Sequence, residues 1–166
     1  VTTLGVFVDN HDNTRFLFTQ SDYALYKNAL TMVLYNTGIP VIYYGTEQGY
    51  IGGVDPLNRE SLWPNYNTEH ELYQFIKVLI SARKSFNIAT ESQVQRYAAY
   101  NFYAFSRGDV LVCMTNVGSY GGKVAVQITY HPYTVGTLIC AQLNDSGTPD
   151  CITVTTDGFQ VELTDG

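Results

Sequence analysis

Polar, titratable residues follow directly on a short apolar run near the start of the chain. The run occupies residues 4–8, and the polar cluster at residues 9–13 contains His11 and Asp12. An apolar run of this kind suits a strand that is buried on both faces of a parallel sheet. Since α/β barrels place their chemistry at the C-terminal ends of such strands, we predict that this strand delivers His11 and Asp12 to an active site. The alternative is a plain polar turn, because Asp and Asn are common turn residues.

The residues after this cluster have the pattern of a repeating βα unit. Ser21 is predicted to cap a helix whose apolar residues recur at helical spacing, with Asp22 in its first turn. Gly38 is predicted to end that helix, and Pro40 to prevent the helix from continuing. A second apolar run at residues 41–44 then predicts another buried parallel strand.

A long glycine-containing loop comes next, and it carries Asp55 and Arg59 near its end. Loops that follow parallel strands lie on the active face of a barrel, so we expect both side chains to face the same site as His11. After the loop, the pattern from Thr68 to Glu71 predicts a capping box, followed by a long amphipathic helix to about residue 85.

The apolar period changes from 3.6 to 2 at about residue 90, which predicts an all-β antiparallel sandwich. The predicted strands are 95–105, 110–115, 123–129, 137–142, 152–156 and 160–163. Asp157 and Gly158 form a strong hairpin signal. We therefore divide the chain into an α/β part at residues 1–88 and a β-sandwich at residues 89–166. Two βα units cannot close a sheet, so we expect further structure upstream, on the same natural chain or on a partner.

Composition excludes several classes of ligand. The net charge of −6 argues against nucleic acid and anionic membranes, which select basic patches. Only 14% of the residues are charged, whereas 14 are Tyr and 8 are Phe. Such a surface suits neutral, hydroxylated ligands, because aromatic rings can stack on the apolar faces of sugars. The alternative is that Tyr only fills strand positions, where it is favoured.

The three cysteines favour an oxidising compartment. Cys140 and Cys151 flank a turn-rich loop and could close it as a disulfide, whereas Cys113 lies in an apolar run and is predicted to be a buried free thiol. Their spacing fits no zinc pattern. A glycosylation sequon at residues 144–146 lies in the same loop. Together these features predict a secreted protein.

Three motifs in order resemble a known family. The segments at residues 7–13, 38–47 and 52–60 are similar to the C-terminal part of a secreted, fungal-type α-amylase of the large α-amylase glycoside hydrolase family. The resemblance implies the last two βα units of a (β/α)8 TIM barrel, followed by a C-terminal antiparallel β-sandwich. It also implies that the remaining N-terminal part of the barrel lies outside this chain.

The resemblance implies a role for each motif residue. Family members cleave α-1,4-glucosidic bonds with retention, using a nucleophile and an acid/base carboxylate that both precede this chain. Asp12 matches the third family carboxylate, which stabilises the transition state, and His11 would bind the same sugar. Asp55 and Arg59 match a pair that binds a more remote glucose. The alternative for that pair is a plain loop salt bridge.

Other residues receive lesser roles. Arg15 and Glu60 are expected to orient the loops, and Glu47 to support the site. Trp63 is expected to pack rather than to form a sugar platform. No role is predicted for the two other histidines, His70 and His131. Calcium is expected in the whole enzyme with its ligands upstream, so no metal residue is assigned here.

The prediction is therefore a fragment of an α-amylase whose parent acts on internal bonds of starch or glycogen. The fragment alone is predicted to be inactive, because it lacks the nucleophile and the acid/base. One alternative is a related α-glucan transglycosylase or α-glucosidase of the same family. Another is a non-catalytic starch-binding module built from the sandwich.

Overall fold

The computed structural model describes residues 3–143 and 150–164. A parallel pair of short strands and three helices form the first part, and short antiparallel strands form the second. The helices are α1 (Phe16–Thr19), α2 (Tyr23–Tyr35) and α3 (Glu71–Ser85), with 3-10 helices at Thr46–Gln48 and Ile88–Thr90. The strands are β1 (Gly5–Val6), β2 (Ile39–Pro40), β3 (Gln93–Ala98), β4 (Phe102–Arg107), β5 (Val110–Thr115), β6 (Lys123–Ile128), β7 (Leu138–Cys140), β8 (Cys151–Thr153) and β9 (Phe159–Thr164). None of the described helices is long and apolar enough to cross a membrane.

The parallel pair is shorter and earlier than the sequence predicts. β1 and β2 pair Gly5 with Ile39, and the ladder ends where the Val41 amide donates to the Val6 carbonyl at 2.8 Å. The predicted strand at residues 41–44 is therefore wrong, because the chain leaves the ladder at Val41. Burial on both faces of the first strand is also not observed. Phe7 is 49% exposed, since β1 has only one strand partner among the described residues.

Helix α2 is capped by Asp22 and not by Ser21. The Asp22 Oδ1 atom accepts from the Ala24 amide at 2.8 Å, which satisfies one of the free donors of the first turn. The same carboxylate accepts from the Ser119 amide at 2.8 Å and from the Ser119 hydroxyl at 2.6 Å. Hydrogen bonds from Ser119 lower the pKa of Asp22 below its ordinary value. Asp22 therefore joins α2 to the connection between β5 and β6.

Helix α3 begins at Glu71 and is capped by His70, so the predicted capping box from Thr68 is wrong. His70 Nδ1 accepts from the Leu72 amide at 3.2 Å. The Glu71 side chain does not return to Thr68, because it pairs with Lys27 on α2. The predicted end of the helix near residue 85 is confirmed.

The β part consists of one three-stranded sheet and two strand pairs. The sheet has the order β3-β4-β5, and the antiparallel pairs are β6-β9 and β7-β8. The predicted single strand at residues 95–105 is in fact a hairpin, in which the Ala99 amide donates to the Phe102 carbonyl at 2.8 Å. The turn at Asp157 and Gly158 is confirmed between β8 and β9, where Gly158 has a φ of +86° that favours glycine.

The disulfide between Cys140 and Cys151 is present and joins β7 to β8 at directly paired positions. Cys113 is a free thiol, as predicted, but its side chain is half-buried rather than fully buried. Desolvation raises its pKa to about 12. Its thiolate is therefore scarcely populated at neutral pH, which makes it unreactive. The glycosylation sequon at residues 144–146 lies outside the described residues.

Strand β4 has a hydrophobic cluster on each face. Phe105 packs with α2 and α3, whereas Phe102 and Ala104 pack with residues of β6 and β9. This alternation is the period of a strand that is buried on both sides. The first cluster therefore combines residues from both sides of the predicted boundary between residues 1–88 and 89–166, and that division remains a prediction.

Asp22→Asn keeps an oxygen that can cap α2 but removes the negative charge. We expect it to lower the free energy of unfolding at pH 7 by about 1 kcal/mol, the difference between a charge-assisted and a neutral hydrogen bond. The pKa of Asp22 is lowered in the folded state, so its stabilisation is fully present above the ordinary carboxyl range and is lost as the pH falls through the folded pKa. The difference between variant and wild type should therefore shrink below about pH 4. Urea unfolding at several pH values measures it, with Asp109→Asn at an exposed turn as the control. A difference independent of pH would contradict the prediction.

Candidate functional site

The candidate site lies where the loop after β1 meets the loop after β2. We call these the first loop (residues 7–15) and the second loop (residues 45–60). In the first loop, Asn10 Oδ1 accepts from the amides of Asp12 and Asn13 at 2.9 and 3.0 Å. This turn presents His11 and Asp12 to solvent, with 62% and 72% of their side chains exposed. His11 Nε2 lies 3.3 Å from Asp12 Oδ1, so one ligand can contact both groups.

The second loop brings Asp55 and Arg59 beside this pair. Arg59 Nε lies 3.2 Å from Asp55 Oδ1, so the two residues form an ion pair within the second loop. Arg59 Nη2 also donates to the His11 carbonyl at 3.4 Å. The structure therefore brings together the four residues that the sequence singled out, and Arg59 is the link between the two pairs.

A buried arginine joins the two loops beneath the exposed residues. Arg15 is fully buried, and its Nε donates to Glu60 Oε2 at 2.8 Å while its Nη2 donates to the Tyr44 carbonyl at 3.0 Å. The guanidinium carbon also lies 4.5 Å from the centre of the Tyr43 ring. Glu60 uses its other oxygen to accept from the Gly52 amide at 2.7 Å. A charge is buried at acceptable cost only when it is paired in this way, so Arg15 and Glu60 hold the loops together.

Asp9 anchors the start of the first loop. It is 4% exposed, and its two oxygens accept from the Phe16 amide, the Tyr26 hydroxyl and the Thr46 hydroxyl. Burial, and then the charge of Asp9, raise the pKa of Tyr26 above its ordinary value, which keeps Tyr26 protonated as a donor. All these partners are internal, so Asp9 holds the loop in place and is not presented to a ligand.

Sequence reasoning missed several residues that build the site. Asn10 shapes the turn, Tyr26 holds Asp9, and Asn58 donates to carbonyls of the first loop. Only Asn10 gave a local signal, because Asn before a polar turn favours hydrogen bonds to nearby amides. Tyr26 and Asn58 act on residues 17 or more positions away, and nothing in their local sequence indicates those partners.

The structure also shows where the residues with lesser predicted roles lie and what they contact. Glu47 accepts from the Gly45 amide at 2.9 Å and so supports its own turn. Trp63 is 93% exposed, so the prediction that it packs is wrong within the described chain. His70 caps α3, and His131 packs against the rings of Tyr133 and Phe159. Neither histidine lies in a group of three or more His, Cys, Asp or Glu, and residues 3–143 and 150–164 contain no such group that could hold a metal ion.

The arrangement can bind hydroxyl groups. Asp12 and Asp55 supply carboxylate acceptors, and His11 and Arg59 supply donors, all on a surface that solvent reaches. Charge-assisted hydrogen bonds of this kind are about twice as strong as neutral ones. A neutral, polyhydroxylated ligand that spans both pairs is therefore the chemistry that the site fits best.

The comparisons with known proteins point to one enzyme family. Residues 1–74 match the family model described as alpha amylase, catalytic domain. This part of the chain, residues 1–74, therefore belongs to the alpha-amylase family of glycoside hydrolases.

Individual relatives extend the similarity into the β part. The chain is 40% identical over 141 residues to an alpha-amylase of Saccharomycopsis fibuligera, covering 81% of the chain and 28% of that protein. It is 41% identical over 124 residues to an uncharacterized glycosyl hydrolase of Schizosaccharomyces pombe, covering 71% of the chain and 25% of that protein. The solved structure of an alpha-amylase from Malbranchea cinnamomea matches 99% of the chain and 36% of its own length, with a TM-score of 0.88 and 31% identity. The chain thus spans about a quarter of the curated relatives it matches.

We expect Arg15→Met to destabilise the protein by about 3 to 5 kcal/mol, because removing one partner of a buried ion pair leaves the other uncompensated. The matched control is Lys123→Met, since Lys123 pairs with Glu162 at the surface with 59% of its side chain exposed. Surface pairs contribute at most about 1 kcal/mol. Denaturant unfolding of both variants measures the difference, and equal losses would contradict the role assigned to Arg15.

Proposed function

We propose that the chain is the C-terminal part of a secreted α-amylase that hydrolyses internal α-1,4-glucosidic bonds of starch or glycogen with retention. In this proposal residues 1–88 are the last two βα units of a (β/α)8 barrel, and residues 89–166 are a C-terminal β-sandwich. The observation that carries the proposal is the contact between Arg59 and the His11 carbonyl, which places both candidate sugar-binding pairs on one surface.

Asp12 acts on the sugar ring whose bond is cleaved. Retention requires a nucleophilic carboxylate and an acid/base carboxylic acid, one on each side of the bond. We assign both to parts of the protein outside this chain. Asp12 accepts hydrogen bonds from hydroxyls of the ring, and these bonds strengthen as positive charge develops in the transition state. His11, which shares its exposed turn, donates to the same sugar and holds it in register.

Asp55 and Arg59 bind a glucose further along the chain of the substrate. Arg59 is half exposed, and its contact with Asp55 leaves further guanidinium donors for a ligand. Binding energy gathered at such a remote sugar can be used to position the reacting bond. Substrates long enough to reach Asp55 and Arg59 should therefore react better than short ones.

The exposed edge of the parallel pair supports a larger barrel. Leu4 and Phe7 around β1, and Ile39 and Val41 around β2, are between 45% and 61% exposed. Parallel strands are normally covered on both faces, and an apolar edge strand is an aggregation hazard. We propose that the preceding strands and helices of the barrel cover these residues.

Calcium and secretion are further parts of the proposal. Calcium is proposed for the whole enzyme with ligands outside this chain, and no step is assigned to it here. The disulfide between Cys140 and Cys151 supports an oxidising compartment. Neither nucleic acid nor a membrane surface is proposed as a partner, because the net charge is −6.

In the full-length enzyme, Asp12→Asn should lower kcat on starch by about 100- to 1,000-fold, the usual cost of losing a charge-stabilising group in the transition state. Asp109→Asn, at an exposed turn of the β part, is the control and should leave kcat unchanged. Product analysis of the same enzyme distinguishes internal hydrolysis from transglycosylation or release of glucose from chain ends. An Asp12→Asn enzyme that is as active as wild type would refute the assigned role.

The purified chain of residues 1–166 should not hydrolyse starch, because the proposed nucleophile and acid/base are not among its residues. Reducing-sugar release measures this, with the full-length enzyme as the positive control. Hydrolysis by the chain alone would contradict the proposal. Starch binding that survives deletion of residues 1–89 would instead favour the non-catalytic binding module.

A further inference from the structure

Asn58 is a fully buried polar side chain whose partners flank Asp12. Its Nδ2 donates to the His11 carbonyl at 3.0 Å and to the Asn13 carbonyl at 2.8 Å. These carbonyls belong to the residues on either side of Asp12, so a single amide holds both ends of the segment that presents it. Asn58 is itself too deep to touch a substrate, and it is therefore not a catalytic residue.

The chemistry of the two partners dictates which end of the amide faces them. Both partners are carbonyl oxygens, so only the NH₂ end of Asn58 can satisfy them. A carboxylate of the same shape would place a negative oxygen against two carbonyl dipoles in a buried site, where such contacts are costly. The position therefore requires a donor and not merely a polar residue of this size.

The next residue in the chain reaches the same carbonyl. Arg59 donates to the His11 carbonyl at 3.4 Å and pairs with Asp55. The neighbouring residues Asn58 and Arg59 thus both bind the first loop, and Arg59 is also a member of the second sugar-binding pair. Any shift of Asn58 relative to the first loop changes the distance between the two pairs.

We propose that Asn58 is a positioning residue that sets the register between the sugar bound at Asp12 and the sugar bound at Asp55 and Arg59. This inference rests on the proposed function. It predicts two effects when the donor is lost. Since a misplacement of about 1 Å can cost 100-fold in rate, kcat should fall more than KM changes. The preference for long over short substrates should also shrink, because the two pairs would no longer bind one glucan chain in register.

The experiment uses the full-length enzyme with Asn58→Asp, Asn58→Leu and, as a control at an exposed position, Asn116→Asp. Asn116 also donates its Nδ2 to a backbone carbonyl, that of Tyr100 at 3.1 Å, but it lies in the β part. The readouts are kcat and KM on maltotriose and maltoheptaose across a pH series, with the melting temperature recorded for each variant.

Asn58→Asp should lose about 100-fold in kcat near neutral pH and most of its preference for maltoheptaose. The pKa of a buried carboxyl beside carbonyl oxygens is raised, and its protonated form has an O–H donor. The activity of Asn58→Asp relative to wild type should therefore recover as the pH falls. Asn58→Leu has no donor at any pH and should show no recovery.

A folded Asn58→Asp enzyme that matches Asn116→Asp in kcat, substrate preference and pH profile would overturn the inference. If Asn58→Asp does not fold, Asn58→Ser replaces it, because its hydroxyl retains one donor. Folded Asn58→Ser should lose about 10-fold in kcat and part of the maltoheptaose preference, about half the barrier change expected for loss of both bonds. Unchanged values would overturn the inference.

Asp12→Asn is measured in parallel, so that failure of this inference can be told from failure of the proposed function. If Asp12→Asn is inactive while the Asn58 variants match wild type, only this inference fails. If Asp12→Asn is active, the proposed function fails.

Discussion

The buried guanidinium of Arg15 is the constraint on which the site depends. A fully buried charge requires fixed partners, and Arg15 finds them in Glu60, the Tyr44 carbonyl and the ring of Tyr43. All three partners belong to the second loop or lead into it. If the second loop moved away from the first, the buried guanidinium would lose its partners. The exposed side chains of the site are therefore carried by two loops that have little freedom to move relative to each other.

The rest of the chain holds these two loops in place through helix α2. Asp9 ties the start of the first loop to Tyr26 on α2, and Asp22 at the N-terminus of α2 ties that helix to the β part. Arg107 at the end of β4 is 4% exposed and donates to the carbonyls of Tyr35 and Asn36 at the other end of α2. Both ends of α2 are thus held by residues of the β part. The β strands stabilise the helix on which the first loop is anchored.

This separation of roles suits the sugar-binding function proposed for the site. The candidate sugar-binding side chains are accessible to solvent: His11, Asp12, Asp55 and Arg59. The side chains that position them are buried and form hydrogen bonds within the protein: Asn58, Arg15 and Asp9. Preorganised groups lose little freedom when a ligand binds, so more of their interaction energy remains for the transition state. The same arrangement explains why the segments at residues 7–13 and 52–60 contain both exposed and buried polar residues.

The sequence by itself indicated most of the helices and strands and the residues with chemistry to offer, because apolar periodicity and turn residues are local signals. It left open whether Cys140 and Cys151 are bonded, which the structure decides. It placed His11, Asp12, Asp55 and Arg59 on neighbouring loops. It misplaced the second parallel strand, whose ladder ends at Val41. It also misplaced the caps of α2 and α3, where Asp22 and Glu71 pair with the distant residues Ser119 and Lys27. Only the tertiary structure revealed Asn58 as the link between the loops, since its partners lie 45 and 47 positions earlier in the chain and a buried amide leaves no local pattern.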